Sequence, residues 1–485
     1  MPLGAGVQTD RRAVPALLFA LVWLSCGWFG SWEFNPNNST RLFAAISLAE
    51  QGDATIDEFA HLTIDKAQFG PHTYLDKAPG MTLLATPVVA IAFGLTGEGA
   101  RLLEKRIEAP DLARYLRLRL RLATILITGL LTALATLALW SVARDVTGSE
   151  GAALFAALAY GLGTPVWGWS TTLFGHAPVA ALWMIAVWAV WRGTQPSISP
   201  RHAVIAGVAL GWAVVIEYQA VIGGTLIALW ALWRLRGRAG AVRAMGWAVA
   251  GAMTAGVALA GYNLLAFGTI FRLGYQGVVG FEGMQQGLFG LTSPKAAVLY
   301  EIIFGLRRGL VWVAPVLVLA PIGVLRLART QAAMAGMIVG VVAAVLLVNS
   351  AYVYWDGGFS TGPRHSVPAI PMLALVLAPL WAELERVRAR IAAAALLALS
   401  IAINLAIAAA EIVAPDIYPF PLWRPILIED WPRGLFRDLP GEFWGWPHVA
   451  GMALYLVLAA GLAVVLAGAL WRAAARERQA IAAAQ

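Results

Sequence analysis

Residues 13–32, AVPALLFALVWLSCGWFGSW, follow Arg11 and Arg12 and run to Trp32 without a charged side chain. As a helix, a stretch of this length crosses a hydrocarbon core of about 30 Å. It lacks a small-residue cleavage site, so it reads as a retained anchor rather than a cleaved signal peptide. Trp28 and Trp32 close it, where indole rings suit a membrane–water interface. Similar stretches recur to the C-terminus. Of 485 residues, 60% are hydrophobic and only 13% charged, and mean hydropathy is +0.71. A water-soluble chain of this length has too little polar side chain to cover that much apolar surface.

The expected fold is therefore an all-α polytopic membrane protein, with residues 1–485 as a single membrane domain. Twelve spans are expected at 13–32, 122–143, 151–168, 177–192, 203–217, 219–233, 246–266, 308–325, 331–350, 367–382, 391–411 and 449–471. Arginine orients them. Arg192/Arg201, Arg234/Arg236/Arg238/Arg243, Arg326/Arg329, Arg386/Arg388/Arg390 and Arg472/Arg476/Arg478 all fall on one side if twelve spans cross and both termini are cytoplasmic. Residues 81–95 are apolar too. They are short, contain Pro87, and would reverse every later cluster if they crossed, so they read as an amphipathic or re-entrant helix on the outer face. Arg114, Arg117, Arg119 and Arg121 then also lie outside. The net charge of +8 belongs to this membrane pattern and does not indicate nucleic acid. The one cysteine, Cys26, excludes an intrachain disulfide.

The long polar stretches, 33–121, 267–307 and 412–448, all emerge on the outer side in this topology. Function is usually mounted on such loops. The first holds Asp53, Asp57, Asp65 and Asp76 with His61, His72, Lys66 and Lys77. The dipeptide Asp-Lys occurs twice there, using two of only four lysines in an arginine-rich chain. An ammonium is a compact charge suited to a phosphate oxygen, and a neighbouring carboxylate can orient it or accept a proton. Solvated surface ion pairs would use the same residues. Pro79 and Gly80 break the chain just beyond Lys77.

The stretches NPNNSTRLFAAISLAEQGDATID (35–57) and TIDKAQFGPHTYLDKAPG (63–80) are followed by LFGHAP (173–178), YNLLAFGTIFRLGY (262–275), RRGLVWVAPV (307–316) and GGFSTGPRHSVPAIPML (357–373). In this order they resemble bacterial members of the C-type glycosyltransferase superfamily, whose relatives include protein O-mannosyltransferases and the aminoarabinose transferases of lipid A. The resemblance implies a glycosyltransferase of the inner membrane. Its donor would be a polyprenyl-phosphate sugar, its acceptor a hydroxyl of an envelope lipid, glycan or protein at the periplasmic face, and juxtamembrane helices would follow its first span. It also implies an acid in a pattern like Asp-Glu-x-Arg, but the matching position before Arg41 is Asn38, which cannot be a base. The base is then expected among Asp57, Asp76 and Asp65, with Lys77 as the family lysine near the donor phosphate.

Displacement at the anomeric carbon needs a carboxylate to take the acceptor proton, and fixed positive charge where the lipid phosphate leaves. Lys77, Arg364 and Arg308 are the cations expected there, with Lys66 as a fourth. Asn38, Arg41, Tyr74, His176, Tyr275 and Asp356 are expected around the substrate, Asp356 orienting Arg364. Tyr262 and the loop tryptophans Trp423, Trp431, Trp444 and Trp446 suit an interface equally well. No Cys/His cluster has metal-ligand spacing. Loop carboxylates could hold Mg²⁺ or Mn²⁺ with a phosphate, although nothing in their spacing requires it. The small residues of 251-GAMTAGVALAGY fit either a groove for an isoprenoid tail or close helix contact. The rival readings are a transporter or flippase for a lipid-linked sugar, or an inactive assembly subunit. A transporter usually carries charge near mid-membrane and matching halves. Here no halves match, and Glu217, the best-placed acid, lies at the outer turn of a short hairpin.

Overall fold

The computed structural model describes residues 5–30 and 32–484. The chain opens with α1 (Ala5–Trp28), then α2 (Pro36–Glu50), a two-stranded hairpin of β1 (Ala67–Phe69) and β2 (His72–Tyr74), and α3 (Gly80–Thr96). Next come α4 (Pro110–Ala123) and α5 (Leu130–Thr147), joined through one π-helical segment at Thr124–Gly129 into a continuous helix. A central group follows: α6 (Glu150–Gly161), α7 (Val166–Trp169), α8 (His176–Gly193), α9 (Pro200–Ile216), α10 (Ala220–Leu235) and α11 (Ala241–Phe267). The second half holds α12 (Ala296–Ile303), α13 (Leu310–Val313), α14 (Ala320–Thr330), α15 (Ala332–Ala351), α16 (Ile370–Leu375), α17 (Leu377–Ala382), α18 (Val387–Ala410), α19 (Leu439–Trp444) and α20 (His448–Ala484).

This is a multi-pass, all-α membrane protein. Six described helical segments are long and apolar enough to cross a bilayer: Pro110–Thr147, Ala241–Phe267, Ala332–Ala351, Arg364–Ala382, Val387–Ala410 and His448–Arg472. Ala13–Trp28, Gly80–Thr96, Pro200–Ile216 and Ala220–Leu235 are shorter apolar helices. Outward faces such as Met253, Val257, Leu347 and Val464 are exposed, as lipid-facing side chains are. Three expected spans are interrupted. The first breaks after Gly161, ahead of Pro165. The second breaks at Ala314 before Pro315, where a 3₁₀ turn replaces the helix, and the third starts as a 3₁₀ turn containing Pro368. Proline lacks the N–H that would continue each ladder.

The close approach of α9 and α11 is made by glycine. A Cβ on Gly207 would collide with the Ala248 carbonyl, and one on Gly251 with that of Val204. Gly251 in the small-residue stretch thus brings two backbones together, as small residues do between membrane helices. Gly256 and Gly261 have open space around their Cβ positions.

Charge separates the two ends of the bundle. At one end Arg192 pairs with Asp145, Arg326 with Glu383 and Arg144 with Glu150, and Arg234 donates to Thr194. The long loops lie at the other, and α3 stays there. Gly80 at its start abuts Val215 and Ile216, and beyond its end the Glu98 carbonyl accepts from Arg119, 2.6 Å away. Both ends of α3 thus contact the loop-bearing end of the bundle, and Gly97 (φ +68°) turns the chain back beyond it. The arginines of α4 are answered at this end: Arg117 by Glu33, Arg119 by Glu50 and Arg121 by Glu442. Trp28 and Trp32 are not interface anchors. Both are buried, their indole N–H groups donating to the Gly451 carbonyl and the Glu411 carboxylate.

Candidate active site

The repeated Asp-Lys dipeptide becomes intelligible in the hairpin. β1 and β2 pair Ala67 with Tyr74 and Phe69 with His72, and Gly70 (φ +61°) makes the turn. Carried two residues outward, that register sets Asp65 opposite Asp76. Two carboxylates facing each other repel. Lys77 resolves this by placing Nζ 3.2 Å from Asp65 and 2.6 Å from Asp76. Asp76 is 1% exposed, and its Oδ1 has no hydrogen-bond partner among the described residues. Lys66 turns the other way and donates to the Ala60 carbonyl at 2.7 Å.

Beside this trio lies a second buried pair. Arg41, on α2, donates from Nη2 to Glu217 Oε1 at 2.9 Å, and the side chains are 1% and 8% exposed. Pro36 at the first turn and the Asn35 side chain capping Asn37 start α2, which buries residues 38–47 against the bundle. Glu217 ends α9 in extended conformation and rests against Gly175, where a Cβ would collide with Oε1. His176, the next residue, begins α8 with its ring 4.9 Å from that of His365 at 80°. His365 also meets the edge of Tyr352 at 5.4 Å. Arg364, after Gly362 (φ +77°), lies 5.0 Å above the Phe174 ring, and its Nε is unpaired among the described residues. Tyr275 meets the edge of Tyr218, next to Glu217, at 5.5 Å.

A pocket of about 490 Å³, counting the open space at its mouth, lies here. His176, Glu217, Asn349, Tyr352 and His365 form its polar wall; Val179, Trp183, Ile222, Val345 and Val348 form an apolar one running down between α8, α10 and α15. The pocket is therefore amphipathic, suiting a ligand with a polar head and a hydrocarbon tail.

Electrostatics favour permanent positive charge. Burial pulls the Lys77 ammonium down, but Asp65 and Asp76 outweigh it, and its pKa ends above the ordinary value. Burial raises Asp76, with Asp65 adding to it and Lys77 opposing. Burial, with Glu217 nearby, pushes the Tyr275 phenol well above its usual value, keeping it a neutral donor. Among the described residues no three His, Cys, Asp or Glu side chains gather as metal ligands, and Lys77 bridges the adjacent carboxylates Asp65 and Asp76.

The expected site residues thus divide. Asp65, Asp76, Lys77, Arg41, His176, Tyr275 and Arg364 come together. Asp57 does not: it is 42% exposed, holds His72 Nδ1 at 2.7 Å and accepts the Thr73 N–H, bracing the hairpin. Tyr74 stands over a separate basin with Phe69, Phe267 and Arg272. Asp356 pairs with Arg307 at 2.9 Å and not with Arg364, because Arg307 lies across the loop from it. Arg308 is fully buried and spends its donors on the carbonyls of Arg307, Asp356 and Gly358, so it shapes the loop before Arg364. Asn38 is structural in a way an acid could not be, since its amide donates to the Trp32 carbonyl and accepts from the Leu173 N–H at 2.8 Å. Sequence reasoning missed His365, Tyr352 and the part Glu217 takes. Glu217 carried a signal, as a lone acid between two apolar helices.

Comparison with known proteins places this geometry in a context. Residues 115–261 match the family model for dolichyl-phosphate-mannose-protein mannosyltransferase, a segment that includes His176 and Glu217. No curated protein sequence matches the chain. Among solved structures, ArnT from Cupriavidus metallidurans in the apo state is similar over 96% of this chain and 74% of its own, with TM-score 0.49 and 16% identity. The same protein bound to undecaprenyl phosphate covers 94% and 73%, at 0.48 and 15%. The archaeal oligosaccharyltransferase AglB from Archaeoglobus fulgidus, in complex with an inhibitory peptide and a dolichol-phosphate, covers 80% and 54%, at 0.41 and 12%. The resemblance read from the motifs is thus met again in the family match over residues 115–261.

Proposed function

We propose that this chain is a C-type glycosyltransferase that moves a sugar from a polyprenyl-phosphate donor to a hydroxyl of an envelope lipid, glycan or protein. One observation carries the reading: Lys77, clamped by two carboxylates, and Arg364 lie in one cluster with the polar wall of a pocket whose other wall is hydrocarbon. A lipid phosphate has that same division. The family match over residues 115–261 supports a phosphate-linked lipid donor. In the bacterial inner membrane, with the arginine-rich end in the cytoplasm and both termini there, the cluster faces the periplasm.

In the reaction the donor phosphate lies against Lys77 and Arg364, with the sugar near His176, His365 and Tyr275. A carboxylate of the cluster takes the acceptor proton as the hydroxyl oxygen attacks the anomeric carbon. Negative charge grows on the bridging oxygen, where preorganised cations stabilise it. Lys77 and Arg364 supply that charge, so transfer needs no divalent ion in this reading. The flippase alternative loses ground because the buried charges gather at one end of the helices.

The deciding experiment places the full chain in liposomes with undecaprenyl-phosphate-linked hexoses and pentoses and an envelope lipid extract. Label should pass from one donor to an acceptor, with free undecaprenyl phosphate released in equal amount. Transbilayer movement of intact donor without cleavage would establish a flippase instead.

A further inference from the structure

The geometry points to Glu217 as the base that takes the acceptor hydroxyl proton, an assignment that rests on the transferase reading above. On α2, Asn38 has both ends of its amide engaged with backbone, so it offers neither a carboxylate nor a free acceptor. Asp65 and Asp76 are turned towards Lys77 and do not line the pocket. Glu217 does line it, beside His176 and His365. It is tied back to α2 through Arg41, three residues after Asn38. Gly175 leaves room for its carboxylate at the start of α8. The carboxylate is thus delivered to the pocket by the α9–α10 turn instead of by α2.

The step balances without a co-reactant. The acceptor O–H proton moves to the Glu217 carboxylate, the oxygen forms its bond to the anomeric carbon, and the bond from that carbon to the phosphate oxygen breaks. Polyprenyl phosphate leaves with the electron pair. Burial raises the Glu217 pKa and makes its carboxylate a stronger base than an exposed one, and Arg41 opposes that rise while holding the group in place.

A buried partner of Arg41 would be missed whether or not it is a base, so the test separates the two. Full-length protein in liposomes is assayed for sugar transfer, for binding of undecaprenyl phosphate and for its thermal midpoint. E217Q keeps an oxygen for Arg41. It should lower kcat by about 10²–10³-fold, leave the Kd for undecaprenyl phosphate within about threefold, and melt as the parent does. If Glu217 only neutralises Arg41, the pair R41Q/E217Q relieves the unpaired charge and recovers transfer. That recovery would overturn the assignment; a double variant as slow as E217Q supports it. Should E217Q fail to fold, E217D decides: the acid limb of its kcat/KM profile moves if Glu217 is the base, and an unmoved limb overturns it. Full transfer by E217Q removes Glu217 alone. A parent protein that moves no sugar from any donor removes the transferase reading and this assignment with it.

Discussion

Lys77 stands between two carboxylates, so its removal does more than delete a phosphate contact. K77A leaves Asp65 and Asp76 facing each other without a bridge. Breaking a buried pair in this way costs about 3–5 kcal/mol. K77A should therefore melt lower as well as bind undecaprenyl phosphate at least about tenfold more weakly, read by thermal unfolding and lipid-binding titration. D57N should retain transfer within about threefold, because Asp57 braces the exposed side of the hairpin. N38D should not create a base. A carboxylate there cannot donate to the Trp32 carbonyl, and the unsatisfied group costs about 1–3 kcal/mol, visible as a lower thermal midpoint without a gain in rate. The sign of the pH effect follows from Asp76, whose pKa is raised chiefly by burial. As pH falls, Asp76 takes up its proton above the ordinary carboxylate range and releases Lys77, still charged, to the phosphate. Undecaprenyl phosphate should then bind the parent more weakly than D76N at high pH and approach the D76N affinity as pH falls, while D76N itself shows a flatter pH profile, read by lipid-binding titration of both; parallel profiles for the two would exclude Asp76.

The elements hold these residues through a few close approaches. Gly80 at the start of α3 meets the end of α9, where a Cβ would stand 2.6 Å from both the Ile216 nitrogen and the Val215 oxygen. G80A should push α3 off α9 and loosen both Lys77 and Glu217. G94A, on the same helix with nothing within 4 Å, should be neutral or slightly stabilising, by up to about 1 kcal/mol. Thermal midpoint and lipid binding of the two variants together measure the value of the α3–α9 contact. Much at this scale was legible in advance. Every expected span contains helix, and residues 81–95 lie in α3, whose two ends both contact the loop-bearing end of the bundle. The breaks near residues 162–165, 314–319 and 364–369 were written in prolines, but a hydropathy window averages across them. The hairpin register that turns two Asp-Lys dipeptides into one clamp depends on a three-residue strand pairing too short to read from alternation.

Over the whole molecule, one end is rich in arginine and the other carries the long loops. Cys26 is buried and is the sole native thiol, so introduced cysteines report cleanly. In the proposed orientation K295C is labelled from outside intact spheroplasts by an impermeant maleimide, and R388C is labelled only after permeabilisation. The opposite pattern would invert the molecule. With cations supplying the counter-charge to phosphate, chelation of divalent ions should leave the transfer rate within about twofold.

The amino-acid sequence by itself determined the solvent this protein lives in, the helical character of its spans and the segregation of arginine to one end. Each of these is a local sum: apolar length against bilayer thickness, and charge per loop. Only the tertiary structure decided which of many loop charges share a site. Asp57 and Asp65 are eight residues apart, yet one braces a surface hairpin and the other clamps Lys77, while Arg41 and Glu217, far apart in the chain, form one buried pair. A charge taken out of water must find its partner in space, and distance along the chain does not say where that partner lies.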